Sequence, residues 1–343
     1  MSGTDSRPVG VAVFGAGYWG KNYVRNLAQL KEADLRWVVD PDPEARARAE
    51  RLAPGARVAE TPDDALADPA VEAVIVATGV THHERLGRLA LEAGKHTLVE
   101  KPLATSVAEA TRLVETARRV ERQLLVGHLM LYHPAVLQLK ELITRGDLGR
   151  VFYMYALRVN LGRIRRDENA LWSFAPHDLS VIDFLLGERA QSVSARGRAY
   201  LQEDVEDVVF VNLDYASGAM AQVQLSWLDP HKERRLTVVG SKKMVVFDDT
   251  HATEKLRIYD KGVDAPPDYE SYGEYLSLRN GDIHIPHVSL AEPLTAECLH
   301  FLACARGDVS PRTPGESGLE IVQILDAAQR SMRSGGTPIP LSP

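Results

Sequence analysis

The sequence predicts an α/β domain with a doubly wound parallel sheet, followed by an α+β domain built on a large, mostly antiparallel, open-faced sheet. Three observations carry this. Nearly continuous apolar runs alternate with helical stretches through residues 1–126. After Gly127 the pattern switches to period-two alternation with a Gly-containing turn. A glycine triplet sits where the first apolar run meets the first helix.

The first run, Val9 to Phe14, stops at Gly15, and a helical pattern begins by Trp19 and extends to about Leu30. Leu35 to Val39, Val71 to Ala77, His96 to Val99 and Gln123 to Val126 repeat the apolar run, separated by helical stretches such as Pro43 to Leu52, His83 to Ala93 and Ser106 to Arg119. Strands buried on both faces and alternating with helices belong to a parallel sheet. Beyond it come a helix from Pro134 to Thr144, a strand from Val151 to Val159 and a helix from about Pro176 to Leu186 that stops at Gly187. Val208 to Tyr215 and Met220 to Trp227 then flank the turn Ser217-Gly218, a hairpin signal, and Leu236 to Val239 and Lys243 to Phe247 continue the alternation. Two helices, Pro293 to Ala305 and Ser317 to Met332, close the chain. A length of 343 residues exceeds what one core usually organises, which leads us to expect two domains, 1–126 and 127–343.

With 45% hydrophobic and 25% charged residues, the composition is that of an ordinary globular protein. The net charge of −7 argues against nucleic acid as a partner, since phosphate binding needs a concentrated basic field. No stretch is apolar enough to span a bilayer, and MSGTDSRPVG has neither the charged nor the apolar region of a secretory signal, so the expectation is a cytoplasmic protein without a membrane partner. Cys298 and Cys304 fall on different faces of one predicted helix, which makes neither a disulfide framework nor a zinc knuckle.

Gly15-Ala16-Gly17-Tyr18-Trp19-Gly20 is G-x-G-x-x-G directly after a strand and at the head of a helix. The first glycine permits the tight turn, the second lets a pyrophosphate approach the backbone, and the third lets helix and strand pack closely. A second strand ends at Asp40, where a carboxylate can accept hydrogen bonds from the adenosine ribose. Strand, helix and acid together indicate a Rossmann dinucleotide site. Asp40 would repel a 2′-phosphate, which favours NAD over NADP; Arg46 and Arg48 are the counter-argument. Tyr18 and Trp19 are placed to cover the pyrophosphate or reach the substrate, with packing the alternative for Trp19. His128 follows the end of the fifth apolar run, and ligands sit at the carboxyl ends of parallel strands, so it is expected near the nicotinamide.

At Val99-Glu100-Lys101-Pro102 the sequence resembles the Gfo/Idh/MocA oxidoreductase family, and the resemblance continues through GAGYWG, ATGVTHHERLGRLALEAGKHTLVEKPLA, VGHLMLYHPA, LWSFAPHDLSVIDFLLG and DYASGAMAQVQLSW. GYWGKN, GHLMLYHPAV and NLGRIRRDENALW are most similar to the branch that oxidises nucleotide-linked sugars such as UDP-N-acetylglucosaminuronate at C3. The resemblance implies that Lys101 touches both the substrate hydroxyl and the nicotinamide region and that His177 is the acid/base. It further implies that Glu100 and His83 line the cofactor channel and that Thr78 with Gly79 forms a loop over it. Where many members carry an aspartate four residues before the histidine, this chain has Ser173, which can share a hydrogen bond but cannot balance an imidazolium.

The residue types suit that chemistry. Removing hydride from a secondary alcohol requires the hydroxyl proton to leave as well, for which an imidazole is matched in pKa, and a lysine ammonium stabilises developing alkoxide charge. Arg163 and Arg165, in a loop-like segment before the His177 helix, could bind a diphosphate or carboxylate, or simply pair with Asp167 and Glu168. Asn160, at a strand end, is a further substrate candidate. His82, His128 and His133 lack metal-ligand spacing, so no metal is expected. The leading reading is thus an NAD-dependent sugar or nucleotide-sugar dehydrogenase, a homodimer or homotetramer. Its alternatives are an inositol or free-sugar dehydrogenase, an NADP-dependent ketoreductase of deoxysugar synthesis, and a dinucleotide-sensing regulator on the same fold.

Overall fold

Val9–Phe14 (β1) is buried at every position, as a strand covered on both faces must be. In the computed structural model, which describes residues 7–162, 164–166, 168–264 and 277–341, β1 pairs in parallel with Ala33–Val39 (β2), and β2 with the short Arg57–Ala59 (β3). On its other side β1 pairs with Ala73–Val76 (β4), which is followed by His96–Glu100 (β5) and Leu124–Gly127 (β6), giving the order β3-β2-β1-β4-β5-β6. The direction of winding reverses between β1 and β4, the place where such sheets open a crevice for a ligand. The connecting helices are Gly20–Leu27 (α1), Pro43–Leu52 (α2), Asp63–Ala67 (α3), His83–Glu92 (α4) and Val107–Arg119 (α5). Their starts follow local chemistry: the Asp42 carboxylate accepts from the Glu44 N–H ahead of Pro43, and the Ser106 hydroxyl accepts from the Glu109 N–H.

The second sheet follows Pro134–Thr144 (α6). It comprises Val151–Val159 (β7), then, after Ala170–Leu186 (α7), Ala190–Arg198 (β8), Val208–Tyr215 (β9), Met220–Ser226 (β10), Glu233–Gly240 (β11), Met244–Asp248 (β12), Leu256–Asp264 (β13) and Ser277–His284 (β14). Pro293–Arg306 (α8) and Gly315–Arg333 (α9) precede the last short strand, Ile339–Pro340 (β15). The order β14-β13-β12-β11-β7-β10-β9-β8-β15 places β7 between β11 and β10, and because β7 runs parallel to β10 the sheet is mixed, though mostly antiparallel. The chain divides into two compact units, residues up to Tyr132 with Ala291–Gln323, and His133–Leu290 with the residues from Ile324 on. In the first unit α8 packs on α1 and β1, adding Leu294, Cys298, Phe301 and Leu302 to a core of Val11, Val13, Tyr23 and Leu27. Among the described residues no helix is long and apolar enough to cross a membrane.

Two expectations are corrected. The helix expected from about Pro176 begins at Ala170, capped by the Asn169 side chain accepting from the Trp172 N–H, and Pro176 lies inside it. As the seventh residue of the helix it forfeits the N–H bond to the turn before it, a local cost that the extensive burial of α7 offsets. The other concerns β3, β8, β13, β14 and β15, which carried no readable signal. β8, AQSVSARGR, alternates in burial with small and polar residues that have weak strand preference.

α7 packs on β7, β9 and β10. Arg158 on β7 donates through Nε and Nη2 to the two carboxylate oxygens of Asp178 on α7, at 2.5 and 3.0 Å, and both side chains are buried. Losing one member strands a buried charge. Asp178→Ala should therefore lower the unfolding free energy by about 3–5 kcal/mol in a urea titration, whereas Arg158→Met with Asp178→Leu should cost much less. A single-mutant loss below about 1 kcal/mol, the value of a surface pair, would show that the contact does not hold α7 to the sheet.

Candidate functional site

The glycine triplet divides its work as its spacing suggests. Gly15 has φ +92°, and a Cβ there would meet the Ala77 carbonyl oxygen at 2.6 Å; a Cβ on Gly20 would meet the Gly15 oxygen at 1.9 Å. Both glycines are fixed by packing. A Cβ on Gly17 would meet nothing within 4 Å, so this residue faces open space, and no side chain caps the α1 N-terminus that follows. Bare backbone at a helix N-terminus fits a dinucleotide pyrophosphate. Tyr18 is exposed, with the Lys21 ammonium over its ring, and Trp19 is partly exposed.

Asp40, at the end of β2, is buried, and its Oδ2 accepts from the Ala16 N–H at 2.7 Å while Oδ1 accepts from the Asp42 N–H at 2.9 Å. The carboxylate thereby ties the strand end to the glycine loop and keeps further lone pairs for a ribose. Arg46 donates to the carbonyls of Asp40 and Pro41, and Arg48 to that of Ala16. Arg48 thus turns onto the glycine loop and Arg46 onto the turn that follows β2.

At the carboxyl end of β5, Glu100 is buried and accepts from Trp19 Nε1, from the Tyr23 hydroxyl at 2.8 Å and from the Lys101 N–H at 3.0 Å. Trp19 therefore links the glycine loop to the Glu100-Lys101 turn. His128, just past β6, is buried, and both ring nitrogens lack a hydrogen-bond partner among the described residues. Burial first, then the Lys101 ammonium, push its pKa down to about 3, so it is a neutral imidazole. Two orphaned buried nitrogens fit a polar ligand group. His83 opens α4 with its ring nitrogens 2.9 and 3.1 Å from the carbonyls of Pro102 and Thr78, and burial lowers its pKa. It joins the turn after Lys101 to the loop of Thr78 and Gly79, whose threonine hydroxyl donates to the Gly79 carbonyl.

The remaining candidates lie in the second unit. His177 follows Pro176 inside α7 rather than opening a helix, and Ser173, buried, stands one turn before it on the same face. Asp178 does not take over from the missing aspartate: its carboxylate is occupied by Arg158. Asn160 continues from β7, its N–H donating to the Ser226 carbonyl. Arg165 is exposed and paired with Glu168 at 2.5 Å, the alternative its charged neighbourhood offered, while Arg163 and Asp167 lie outside the described residues. Sequence reasoning missed Tyr23 and Glu297. The second is a lone acid on the buried face of α8, which was the available signal.

An oxidoreductase family model, GFO_IDH_MocA with an NAD-binding Rossmann fold, matches residues 9–128, and the GFO/IDH/MocA C-terminal domain matches residues 136–246. The structure of a candidate oxidoreductase from Magnetospirillum magnetotacticum MS-1 is 31% identical, with 93% of this chain and 99% of that one covered and a TM-score of 0.79. The scyllo-inositol 2-dehydrogenase (NAD(+)) of Bacillus subtilis is 26% identical over 94% of both chains. The WlbA dehydrogenase from Bordetella pertussis, solved with NADH and UDP-GlcNAcA, is 25% identical over 98% of this chain and 99% of its own, with a TM-score of 0.79. With its two halves matched in order and a relative aligned over nearly its whole length, the chain belongs to the Gfo/Idh/MocA family of oxidoreductases and carries that family's NAD-binding Rossmann domain.

Proposed function

We propose that the protein is an NAD-dependent dehydrogenase moving a hydride between a secondary alcohol of a nucleotide sugar, at C3, and the nicotinamide, with Lys101 and His177 acting on the reacting oxygen. The supporting observation is the convergence, at one edge of the parallel sheet, of the open glycine loop, the Glu100-Lys101 turn and the buried neutral His128. Bound NAD supplies the hydride acceptor. Lys101 holds positive charge at the developing alkoxide, and His177 takes the hydroxyl proton. His128, unable to hold a proton at neutral pH, serves as a hydrogen-bond partner for the bound ligands. The same two groups serve ketone reduction in reverse. Relatives over nearly the full length include both an enzyme solved with a UDP-sugar acid and an inositol dehydrogenase, so a polyol ring is the second reading of the substrate.

Three outcomes follow from this reading. Because Asp40 accepts ribose hydroxyls and repels a 2′-phosphate, fluorescence titration should give NADH at least about tenfold tighter binding than NADPH, about 1.4 kcal/mol. Equal affinities would transfer the decisive role to Arg46 and Arg48.

The antiparallel strands leave Tyr153, Phe210 and Met220 exposed on one sheet face, an apolar surface suited to a second copy of the chain. Light scattering at micromolar concentration should return a homodimer or homotetramer, and a monomer would refute it.

Lys101→Met should lower kcat by about 10²- to 10³-fold and His177→Asn by about 10²- to 10⁴-fold. If both act on one oxygen, the double variant should be little worse than the poorer single one, while NADH binding persists in all three. Full activity in either single variant would remove the pair as the catalytic machinery.

A further inference from the structure

Beneath the glycine loop, the Tyr23 hydroxyl lies between two carboxylates, 2.8 Å from Glu100 Oε1 and 2.9 Å from Glu297 Oε2, with all three side chains buried. A phenol has one proton to donate. Tyr23 keeps that proton, because burial, followed by the charges of Glu100 and Glu297, raises its pKa well above the usual value. It can therefore donate to one carboxylate only, and its oxygen must meet the other as an acceptor. Two ionised carboxylates cannot satisfy this geometry without leaving a buried anion against a lone pair.

The surroundings decide which acid keeps a proton. Burial raises the pKa of Glu100 too, but the Lys101 ammonium beside it and three donors, from Tyr23, Trp19 and the Lys101 backbone, all act to hold it ionised. Glu297 has Tyr23 alone, and its Oε1 is buried without a partner among the described residues. We propose that Glu297 is a positioning residue, held as a neutral carboxylic acid in the folded protein. It donates to the Tyr23 oxygen and so aims the phenol at the ionised Glu100 that adjoins Lys101. The assignment of the proton stands on the hydrogen-bond geometry; its effect on turnover rests on the role proposed above for Lys101.

The groups facing Glu297 are Tyr23 from α1, Glu100 from β5, Tyr132 just after β6 and Cys298 on its own helix, with Glu292 at the start of α8 and its partner Arg25 on α1 farther off. Burial, and then Glu100, raise the acid well above the ordinary 4.5. From the ordinary value upward the folded state binds a proton that the unfolded chain releases, so the contribution of Glu297 to stability falls as pH rises until the acid ionises in the fold.

Infrared spectroscopy of the intact protein at about pH 8 should show the carbonyl stretch of a neutral carboxylic acid, absent in Glu297→Gln and retained in Tyr23→Phe. Thermal melts should show Glu297→Gln gaining stability relative to the wild type as pH rises from about 5 to 8, by the loss of up to one proton from the linkage. In turnover, Glu297→Leu should lower kcat/KM by about tenfold through loss of the ordered donor to a charged group, and Glu297→Gln, whose amide can donate in place of the acid, should restore it. An infrared band that does not depend on Glu297, or a Glu297→Gln variant that loses stability relative to the wild type as pH rises, overturns the assignment. Both readouts are independent of activity, so inactive Lys101 chemistry and a wrongly assigned proton remain distinguishable.

Discussion

A carboxylate buried at the carboxyl edge of a parallel sheet is tolerated only if donors surround it, and at Glu100 those donors come from the parts that build the nucleotide site. Trp19 belongs to the glycine loop, Tyr23 to the helix behind it and the third N–H to Lys101 itself. Satisfying one buried charge thus fixes the loop, the helix and the lysine in a single arrangement. Asp40 does the same at the other end of the loop by accepting from Ala16. Between these two acids the backbone at Gly17 is left bare, open to the approach of a pyrophosphate.

The second unit fastens His177 by related means. Asn169 caps α7 and bonds Glu206 and Gln329 through its amide, and the buried pair of Arg158 and Asp178 holds the helix against β7. Asp178 is consumed by that structural task, although its place beside the histidine in sequence suggests a chemical one. Ser173 remains the group one turn away, with a hydroxyl where a charge is common in the family.

β1 was legible because burial on both faces leaves no polar residue to interrupt its run, β9 because its burial alternates strictly, and α2 and α6 because a proline opens each; with β7 these elements have the bounds their residues suggest. The parallel pairing of β7 and β10 was not legible, since alternation reports which face is buried and not which neighbour a strand selects. α7 was read from Pro176 onward because proline marks a first turn more often than a second. In the site, Gly15, Gly20 and Asp40 followed from spacing alone. The Tyr23 and Glu297 pair could not, since their approach joins residues from opposite ends of the first unit's chain.

The most direct measurement is absorbance of the reduced nicotinamide when the protein is mixed with NAD or NADP and a panel of UDP- and dTDP-sugars, free sugars and inositols, each with deuterium on the carbon to be oxidised. A dehydrogenase of this family should reduce NAD with one ring alcohol, slow when that carbon is deuterated, and place the label on the nicotinamide. Tight dinucleotide binding with no reduction by any member, and no oxidation of NADH by the corresponding ketones, would contradict an enzymatic role and leave a dinucleotide-sensing protein on the same fold.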